Sequence, residues 1–272
     1  MVKMYMYDII VAIILGIVEG LSEFLPISST GHLIIVNQFF NFTGGFANMF
    51  DVIIQLGAIL AVIVYFRNKL FPFGSKKTAI EKKQIWMLWF KTVVGVFPAL
   101  LIGAIFGKKV EESLFNPTTV AIALVIGGFV LIYIENKKRK SSINSLEDLT
   151  FKTAFLIGVI QCLSMIPGTS RSASTIIGGM LFGASRTIST EFSFFLAIPT
   201  MIAASGYSLL KGGVAMTAQQ YVILGVGFIT AFFVAWIVIA KFVKYVPNNS
   251  FKPFGYYRIV LGILVLGYFL IK

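Results

Sequence analysis

Apolar residues run in long unbroken segments along most of the chain, and loops rich in basic residues separate several of them. Six segments are close to the ~20 residues that an α-helix needs to cross the hydrocarbon core of a bilayer. The predicted transmembrane helices cover residues 47–66, 86–106, 118–135, 190–210, 219–242 and 255–271. The pattern therefore predicts an all-α integral membrane protein.

Two further apolar segments, 7–42 and 151–184, are interrupted near their middle by proline and small polar residues. Each leg has about 15 residues, or ~22 Å of helix, which is short of the ~30 Å hydrocarbon core. A short leg on either side of a break favours a hairpin that enters the membrane and returns to the same side. We therefore predict two re-entrant helical hairpins.

Loop charge indicates on which side of the membrane each span ends. Three loops are strongly basic and two are mixed or nearly neutral. The basic loops are 67–85, 136–152 and 241–258, and the other two are 107–117 and 211–218. Because cytoplasmic loops carry an excess of Lys and Arg, we expect the basic loops to be cytoplasmic. Threading the spans in this way leaves the first hairpin opening outward and the second opening inward.

The two interrupted segments also resemble each other in sequence. Residues 16–29 align with residues 158–170 when one residue is deleted. The matched pairs are Gly16/Gly158, Glu19/Gln161, Leu21/Leu163, Ser22/Ser164 and Pro26/Pro167. A hairpin followed by three spans, repeated with opposite orientation, is an inverted-topology repeat, and its site lies where the interrupted elements meet.

We therefore predict one membrane domain over residues 1–272, with repeats at about 1–140 and 150–272. Its site is expected where Pro26–His32 meets Pro167–Thr175.

Composition agrees with this fold class. Hydrophobic residues make up 57% of the 272 residues and charged residues only 12%, which excludes an ordinary soluble domain. The net charge of +12 is interpreted as basic loops beside anionic membrane lipid, and not as a nucleic-acid-binding surface. The single cysteine, Cys162, excludes an intrachain disulfide and a cysteine-based metal cluster.

Several aromatic residues and glycines are interpreted as structural. Tyr256 and Tyr257 lie near a predicted span end, as do Trp86 and Trp89, and are expected to anchor the helix at the membrane interface. The pair Gly127-Gly128 is expected to permit close helix packing, and so is Gly178-Gly179.

Ionisable residues at membrane depth are costly and commonly functional, and the first hairpin has several. Glu19 and Glu23 are four residues apart, so both carboxylates project from one face of a helix. The pair is either neutralised by Arg171 or holds a divalent cation. Mg²⁺ or Ca²⁺ is expected, because thiolates are absent and imidazole is scarce.

Ser28, Ser29 and His32 follow the break at Pro26. His32 lies one turn after the serines, where it can activate one of them as a nucleophile. The alternative is that the serines only cap the helix that follows the proline.

The second hairpin's tip, PGTSRSAST at residues 167–175, is a predicted anion cradle. Pro167 and Gly168 end one helix, and the next helix begins with free backbone N–H groups directed at the tip. Arg171 adds donors suited to phosphate or carboxylate oxygens, and Thr175 lies one turn further on. The alternative is a plain helix break whose arginine snorkels or pairs with Glu191.

The two tips carry a resemblance to a known family. The stretches EGLSEFLPISSTGH and PGTSRSAST resemble the signature motifs of the undecaprenyl-diphosphatase family, also called bacitracin-resistance proteins. FSFFLAIPT and DVIIQLGAILAV are similar to that family too. The resemblance implies catalytic roles for Glu19, Glu23, Ser28, Ser29, His32 and Arg171, and substrate binding by Gly168, Ser170, Arg171, Ser172 and Thr175.

The resemblance implies removal of one phosphate from undecaprenyl diphosphate, which regenerates the lipid carrier used for peptidoglycan precursors. Bacitracin acts by sequestering that diphosphate, so more enzyme gives resistance. The family works at the outer face of the bacterial plasma membrane and needs a divalent cation, which Glu19 and Glu23 would hold.

Three points stay open at this stage. The attacking group is a serine activated by His32, or a water activated by His32 or Glu23. A polyprenyl-phosphate transporter is the alternative function, because inverted repeats with broken helices are also a transporter plan. The sequence does not fix the number of subunits, and a homodimer is one of the open alternatives.

Overall fold

The computed structural model describes residues 2–74, 77–137, 140–212 and 216–271, and its regular elements there are all helical. The helices are α1 Val2–Ser22, α2 Ser29–Phe40, α3 Gly45–Tyr65, α4 Arg67–Leu70, α5 Ala79–Leu114, α6 Pro117–Asn136, α7 Phe151–Gln161, α8 Arg171–Leu181, α9 Arg186–Gly212, α10 Ala218–Tyr245 and α11 Lys252–Ile271. Short 3₁₀ turns follow α7 and α10, at Cys162–Met165 and Val246–Asn248. The predicted all-α class is confirmed for these residues.

Five helices of the described part are long and apolar enough to cross a membrane: α3, α5, α6, α9 and α10. They coincide with five of the six predicted spans, so the chain is an integral membrane protein. The sixth predicted span, 255–271, forms most of the 20-residue helix α11, but α11 is not among these five. A sixth crossing therefore stays a prediction.

Two helices extend beyond their predicted limits. Helix α5 continues to Leu114, through most of a segment that was predicted to be a loop. Lys108 and Glu112 lie one turn apart there, with 3.6 Å between Nζ and Oε1, which is a spacing that supports a helix. Helix α1 has 21 residues, so the first hairpin's leading leg is longer than the predicted leg of about 15 residues.

Both interrupted segments break where the sequence indicates. Helix α1 ends at Ser22 and α2 begins at Ser29, whereas the turn after α7 ends at Met165 and α8 begins at Arg171. Helices α7 and α8 have 11 residues each. Each is therefore ~16 Å long, about half the hydrocarbon thickness of a bilayer.

Helix packing places the two tips side by side in the interior, where the first tip is residues 23–29 and the second is residues 167–175. Helix α10 packs against α1 and α3, α5 packs against α7 and α9, α3 packs against α9, and α6 packs along α11. Small residues permit the close approaches, because a Cβ at Gly16 would lie 2.7 Å from the carbonyl oxygen of Gly227, and one at Gly20 would lie 2.8 Å from that of Ala231.

A cluster of phenylalanines lies against the tips. The ring of Phe24, from the first tip, meets that of Phe194 on α9 edge to face, with 5.4 Å between centroids. Phe66 in turn contacts Phe194 and Phe195, and Phe194 also contacts Phe242. These aromatic contacts connect the first tip to the end of α3 and to α9 and α10 through an apolar core.

Part of the loop-charge argument lies outside the described residues. Lys76, Lys138 and Arg139 of the basic loops do so, as do residues 213–215 of the nearly neutral loop. Arg258, counted with a basic loop, lies instead inside α11 and is fully buried. The orientation of the chain in the membrane therefore stays a prediction.

Candidate active site

The two tips have matching backbone geometry. Ser28 caps α2 and Ser170 caps α8, each at a φ of 73°. The Ser28 hydroxyl oxygen accepts the N–H of Gly31 at 3.4 Å, and that of Ser170 accepts the N–H of Ala173 at 3.2 Å. A left-handed φ is uncommon outside glycine and is often found at functional sites. The capping role considered for Ser28 is therefore present in the structure.

Glu23 and Arg171 join the two tips. Arg171 Nη2 lies 3.0 Å from Glu23 Oε1, and both side chains are largely buried, with exposures of 11% and 8%. The hydroxyl of Ser29 donates a short hydrogen bond to Glu23 Oε2. The structure thus brings together the segments that the sequence predicts to meet. Glu191 pairs instead with Lys69, at 2.7 Å.

The Arg171 guanidinium is held on several sides, yet one donor is left over. Its Nη1 donates to the carbonyl oxygen of Ser193 at 2.9 Å, and the guanidinium lies 5.8 Å from the centroid of the Phe24 ring. Its Nε is buried and has no hydrogen-bond partner. A buried donor without a partner is costly, so Nε is available to an oxygen of a ligand or of water.

Glu19 is fully buried, and neither of its carboxylate oxygens has a hydrogen-bond partner. An uncompensated carboxylate in an apolar interior is strongly unfavourable, so a proton or a cation is needed beside it. Within the described part of the chain, no three His, Cys, Asp or Glu side chains are grouped to hold a metal. A cation here would therefore use Glu19, Glu23, substrate oxygens and water, which is a ligand set typical of Mg²⁺.

His32 is engaged at both ring nitrogens, and not by the serine hydroxyls. Its Nδ1 lies 2.7 Å from the carbonyl oxygen of Ser28, which can only accept, so Nδ1 is the donor. Nε2 of the neutral ring then accepts from the Tyr257 hydroxyl at 2.6 Å, and the two rings stack. In this arrangement the group that accepts the Ser29 hydroxyl proton in a hydrogen bond is the carboxylate of Glu23, and not His32.

Three residues of the second tip that are predicted to bind substrate make their contacts to neighbouring parts of the protein. The Ser172 hydroxyl donates to the Leu25 carbonyl oxygen at 2.8 Å, and the Thr175 hydroxyl lies 2.6 Å from that of Ser193. Both side chains are at most 1% exposed. A Cβ on Gly168, whose φ is 90°, would lie 2.8 Å from Val120 Cα. The structure therefore gives these residues contacts that position the tips, whereas Ser170 and Arg171 lie at the tip itself.

Sequence reasoning did not assign Ser193, Tyr257 or Arg258 to the site. Ser193 lies in FSFFLAIPT, a stretch that is similar to the family as a whole, and a lone serine in an apolar run gives no local signal of a role. Tyr257 was predicted to anchor the membrane interface, and its contact with His32 spans 225 positions of the chain. No local pattern signals a contact of that length.

Comparison with known proteins gives matches over nearly the whole chain. The family model described as bacitracin resistance protein BacA matches residues 12–264. The chain is 49% identical over 264 residues to undecaprenyl-diphosphatase 1 of Clostridioides difficile strain 630, which covers 96% of each chain. It is 50% identical over 268 residues to the undecaprenyl-diphosphatase of Lachnoclostridium phytofermentans, with 97% of this chain and 98% of that protein covered. The undecaprenyl-diphosphatase of Enterococcus faecalis is 49% identical over 265 residues.

Proposed function

The chain belongs to the BacA family of bacitracin resistance proteins, and on that premise we propose that it hydrolyses undecaprenyl diphosphate to undecaprenyl phosphate and phosphate. The observation that carries this proposal is the buried ion pair between Glu23 of the first tip and Arg171 of the second. The Ser29 hydroxyl donates to the same Glu23 carboxylate, and Arg171 Nε has no hydrogen-bond partner. The reaction recycles the lipid carrier of peptidoglycan synthesis and confers bacitracin resistance. The enzyme acts in the bacterial plasma membrane.

The same proposal includes an inverted repeat with two re-entrant hairpins, α1–α2 and α7–α8. In the two halves α1 corresponds to α7, α2 to α8, α3 to α9, α5 to α10 and α6 to α11. The packed pair α1–α10 then has α7–α5 as its counterpart, and α3–α10 has α9–α5, and all four pairs are observed. The pairs α3–α9 and α6–α11 become themselves. This correspondence supports two halves related by a pseudo-two-fold axis, with repeats at about 1–140 and 150–272. Loop charge supports a site that opens to the outer face.

Substrate binding is assigned to the second tip. The Arg171 side chain and the free N–H groups at the start of α8 bind the diphosphate oxygens in this proposal. Ser170 caps the same helix through the N–H of Ala173. A helix N-terminus and a guanidinium are both well suited to phosphate oxygens. The Ser193 carbonyl keeps the guanidinium in place when Arg171 exchanges Glu23 for substrate oxygens.

A divalent cation, Mg²⁺ or Ca²⁺, is assigned to Glu19 and Glu23. The unpartnered oxygens of Glu19 fit such an ion, and the absence of thiolate at the site favours a hard cation. When bound, the ion supplies positive charge that offsets the charge of the phosphate oxygens.

Attack on the terminal phosphorus is assigned to Ser29. Glu23 accepts the Ser29 proton as Oγ bonds to phosphorus, and the phosphorus–bridging oxygen bond breaks with its electron pair leaving on undecaprenyl phosphate. Glu23 then returns its proton to the Ser29 Oγ as water attacks the phosphoserine phosphorus and the phosphorus–Oγ bond breaks. The released phosphate carries the oxygen of the water, and the protons of that water leave with the phosphate and to solvent. Positioning and charge stabilisation are expected to supply most of the acceleration, as in other phosphoryl transfers.

The test is phosphate release from undecaprenyl diphosphate by detergent-solubilised protein, with and without chelator. Release that stops with chelator and returns with Mg²⁺ supports the activity and the cation. A transporter releases no phosphate in detergent, where no compartments exist, so this assay also separates the two functions.

The nucleophile has its own test, a rapid quench with substrate labelled in the terminal phosphate. We expect a phosphoenzyme in the wild type and none in Ser29→Ala, whose turnover should fall by at least about 10³-fold. Turnover without any trapped phosphoenzyme under burst conditions would assign the attack to water.

A further inference from the structure

Arg258 of α11 is a fully buried cation that no mechanism above uses. Among the described residues its guanidinium makes no ion pair, and it donates to backbone carbonyl oxygens instead. Burying an arginine is expensive unless its donors are satisfied, so the surroundings must be shaped for it. Five carbonyl contacts to one side chain indicate such a shaped environment.

The five carbonyls belong to three different parts of the chain. Nη2 donates to Thr169 at 2.9 Å and to Gly168 at 3.1 Å, both in the second tip. Nη1 lies 3.4 Å from the carbonyl oxygen of Pro26 in the first tip. The remaining contacts, at 3.3 and 3.4 Å, reach Ala123 and Leu124 of α6. One guanidinium therefore contacts both tips and the helix beside them.

We propose that Arg258 is a positioning residue that fixes the two tips relative to each other. It holds Ser29 and Glu23 of the first tip opposite Arg171 of the second without touching the substrate. This inference rests on the proposed function, because the catalytic groups it aligns are those of phosphate release. Displacing reacting groups by about 1 Å can cost ~10²-fold in rate, so a tie of this kind matters for turnover.

The neighbouring residue on α11 extends the same tie. The Tyr257 hydroxyl contacts His32, and His32 Nδ1 donates to the Ser28 carbonyl of the first tip. Helix α11 therefore reaches the first tip twice, through Tyr257 and through Arg258. His32 is the only histidine in the chain, which makes its imidazole a reporter of tip position with no overlapping signal.

Helix α6 leaves space for the guanidinium at Gly127. A Cβ at Gly127 would lie 2.7 Å from Arg258 Cζ. A Cβ at Gly255, on the same α6–α11 interface, would instead meet Ile132 Cγ1 at 2.6 Å, and its three nearest atoms belong to Ile132 and Gly128. Gly127→Ala and Gly255→Ala are thus matched substitutions that crowd one interface, and only the first displaces the guanidinium.

The experiment compares the wild type with Gly127→Ala, Gly255→Ala and Arg258→Lys in detergent. Melting temperature, kcat and KM for undecaprenyl diphosphate are measured on each. We expect kcat to fall by about tenfold or more in Gly127→Ala and Arg258→Lys, with KM changed by less than about threefold, because the second tip still binds the diphosphate. Gly255→Ala should keep kcat within about twofold at a similar loss of melting temperature.

The ¹⁵N resonances of the His32 imidazole give a readout independent of turnover. They should shift in Gly127→Ala and Arg258→Lys and stay in place in Gly255→Ala. A fall of kcat in step with melting temperature in all three variants would overturn the proposal, and so would a Gly127→Ala protein with normal kcat and an unshifted His32. If the wild type releases no phosphate, the proposed function fails, and the His32 spectra still test the tie between the tips.

Discussion

The first tip, between α1 and α2, and the second, between α7 and α8, begin their returning helices with serines at the same φ of 73°. Their charges are opposite. Glu19 of the first hairpin corresponds to Gln161 in the second, and Ser29 after the first cap corresponds to Arg171 after the second. The comparison teaches that one backbone design serves two ligand charges. In the proposed function the first tip binds a cation and the second binds an anion.

Burial sharpens the contrast between Glu19 and Gln161. Both side chains are fully buried. Gln161 Nε2 reaches the Thr200 hydroxyl at 3.3 Å, and a neutral amide needs no counter-ion. The carboxylate of Glu19 has no such partner. Of these two corresponding positions, only Glu19 therefore needs a proton or a cation beside it.

Among changes to the charges of the two tips, the largest effect is expected from removing the charge of the second tip. Arg171→Ala takes away the donors assigned to the diphosphate and leaves Glu23 buried without its partner. We expect kcat to fall by about 10²–10³-fold and the melting temperature to drop, because an unpaired buried carboxylate costs about 3–5 kcal/mol. Steady-state phosphate release and thermal unfolding in detergent measure the two effects.

The matched control for that change is Arg186→Ala. Arg186 pairs with Glu135, whose side chain is fully buried, at 2.5 Å, and it contacts neither tip. This variant should lose melting temperature while kcat stays within about twofold. Near-normal phosphate release by Arg171→Ala would contradict the assignment of an anion site to the second tip.

A smaller effect on rate, with an opposite effect on stability, is expected at Glu19. Glu19→Gln makes the first hairpin resemble the second and removes a buried group that needs a proton or a cation beside it. We expect the Mg²⁺ concentration for half-maximal activity to rise by roughly tenfold or more, and the melting temperature without metal to rise as well. Phosphate release over a Mg²⁺ titration, and thermal unfolding with chelator, provide the measurements.

Gln161→Glu is the reverse substitution and serves as the control. It places a buried carboxylate where no cation is expected, so its melting temperature should fall with or without Mg²⁺. If Mg²⁺ restored the stability of Gln161→Glu as well, the two tips would not differ in the way proposed here.

Sequence alone predicts the parts of this fold that depend on local composition. Five spans follow from the length of apolar runs, and both tips follow from Pro26 and Pro167 followed by small polar residues. The partner of Arg171 could not be predicted in the same way. Glu23 and Glu191 are both acidic residues in the apolar part of the chain, and only the packing of α8 against its neighbours decides between them.

Arg258 shows the limit of charge patterns most clearly. By composition it belongs with Lys241, Lys244 and Lys252 as part of a basic loop. Its side chain is nevertheless fully buried, because the tips present carbonyl oxygens to it from positions 90 and 232 residues away. The interior of a folded membrane protein can therefore require a charge that a hydropathy profile assigns to the surface.

The smallest effect is expected at the two caps, where the tips are most alike. Ser28→Gly and Ser170→Gly each lose the capping hydroxyl, but glycine adopts a φ of 73° without strain. Each should therefore lower the free energy of unfolding by only a few tenths of a kcal/mol. Ser28→Ala and Ser170→Ala lose the cap and, like serine, keep a Cβ at a positive φ, for a cost of about 1 kcal/mol each. Thermal unfolding of the four variants measures the difference between glycine and alanine at each tip. Equal differences would support one backbone design used twice, whereas a difference at one tip alone would mean that the shared φ has a different origin in each half.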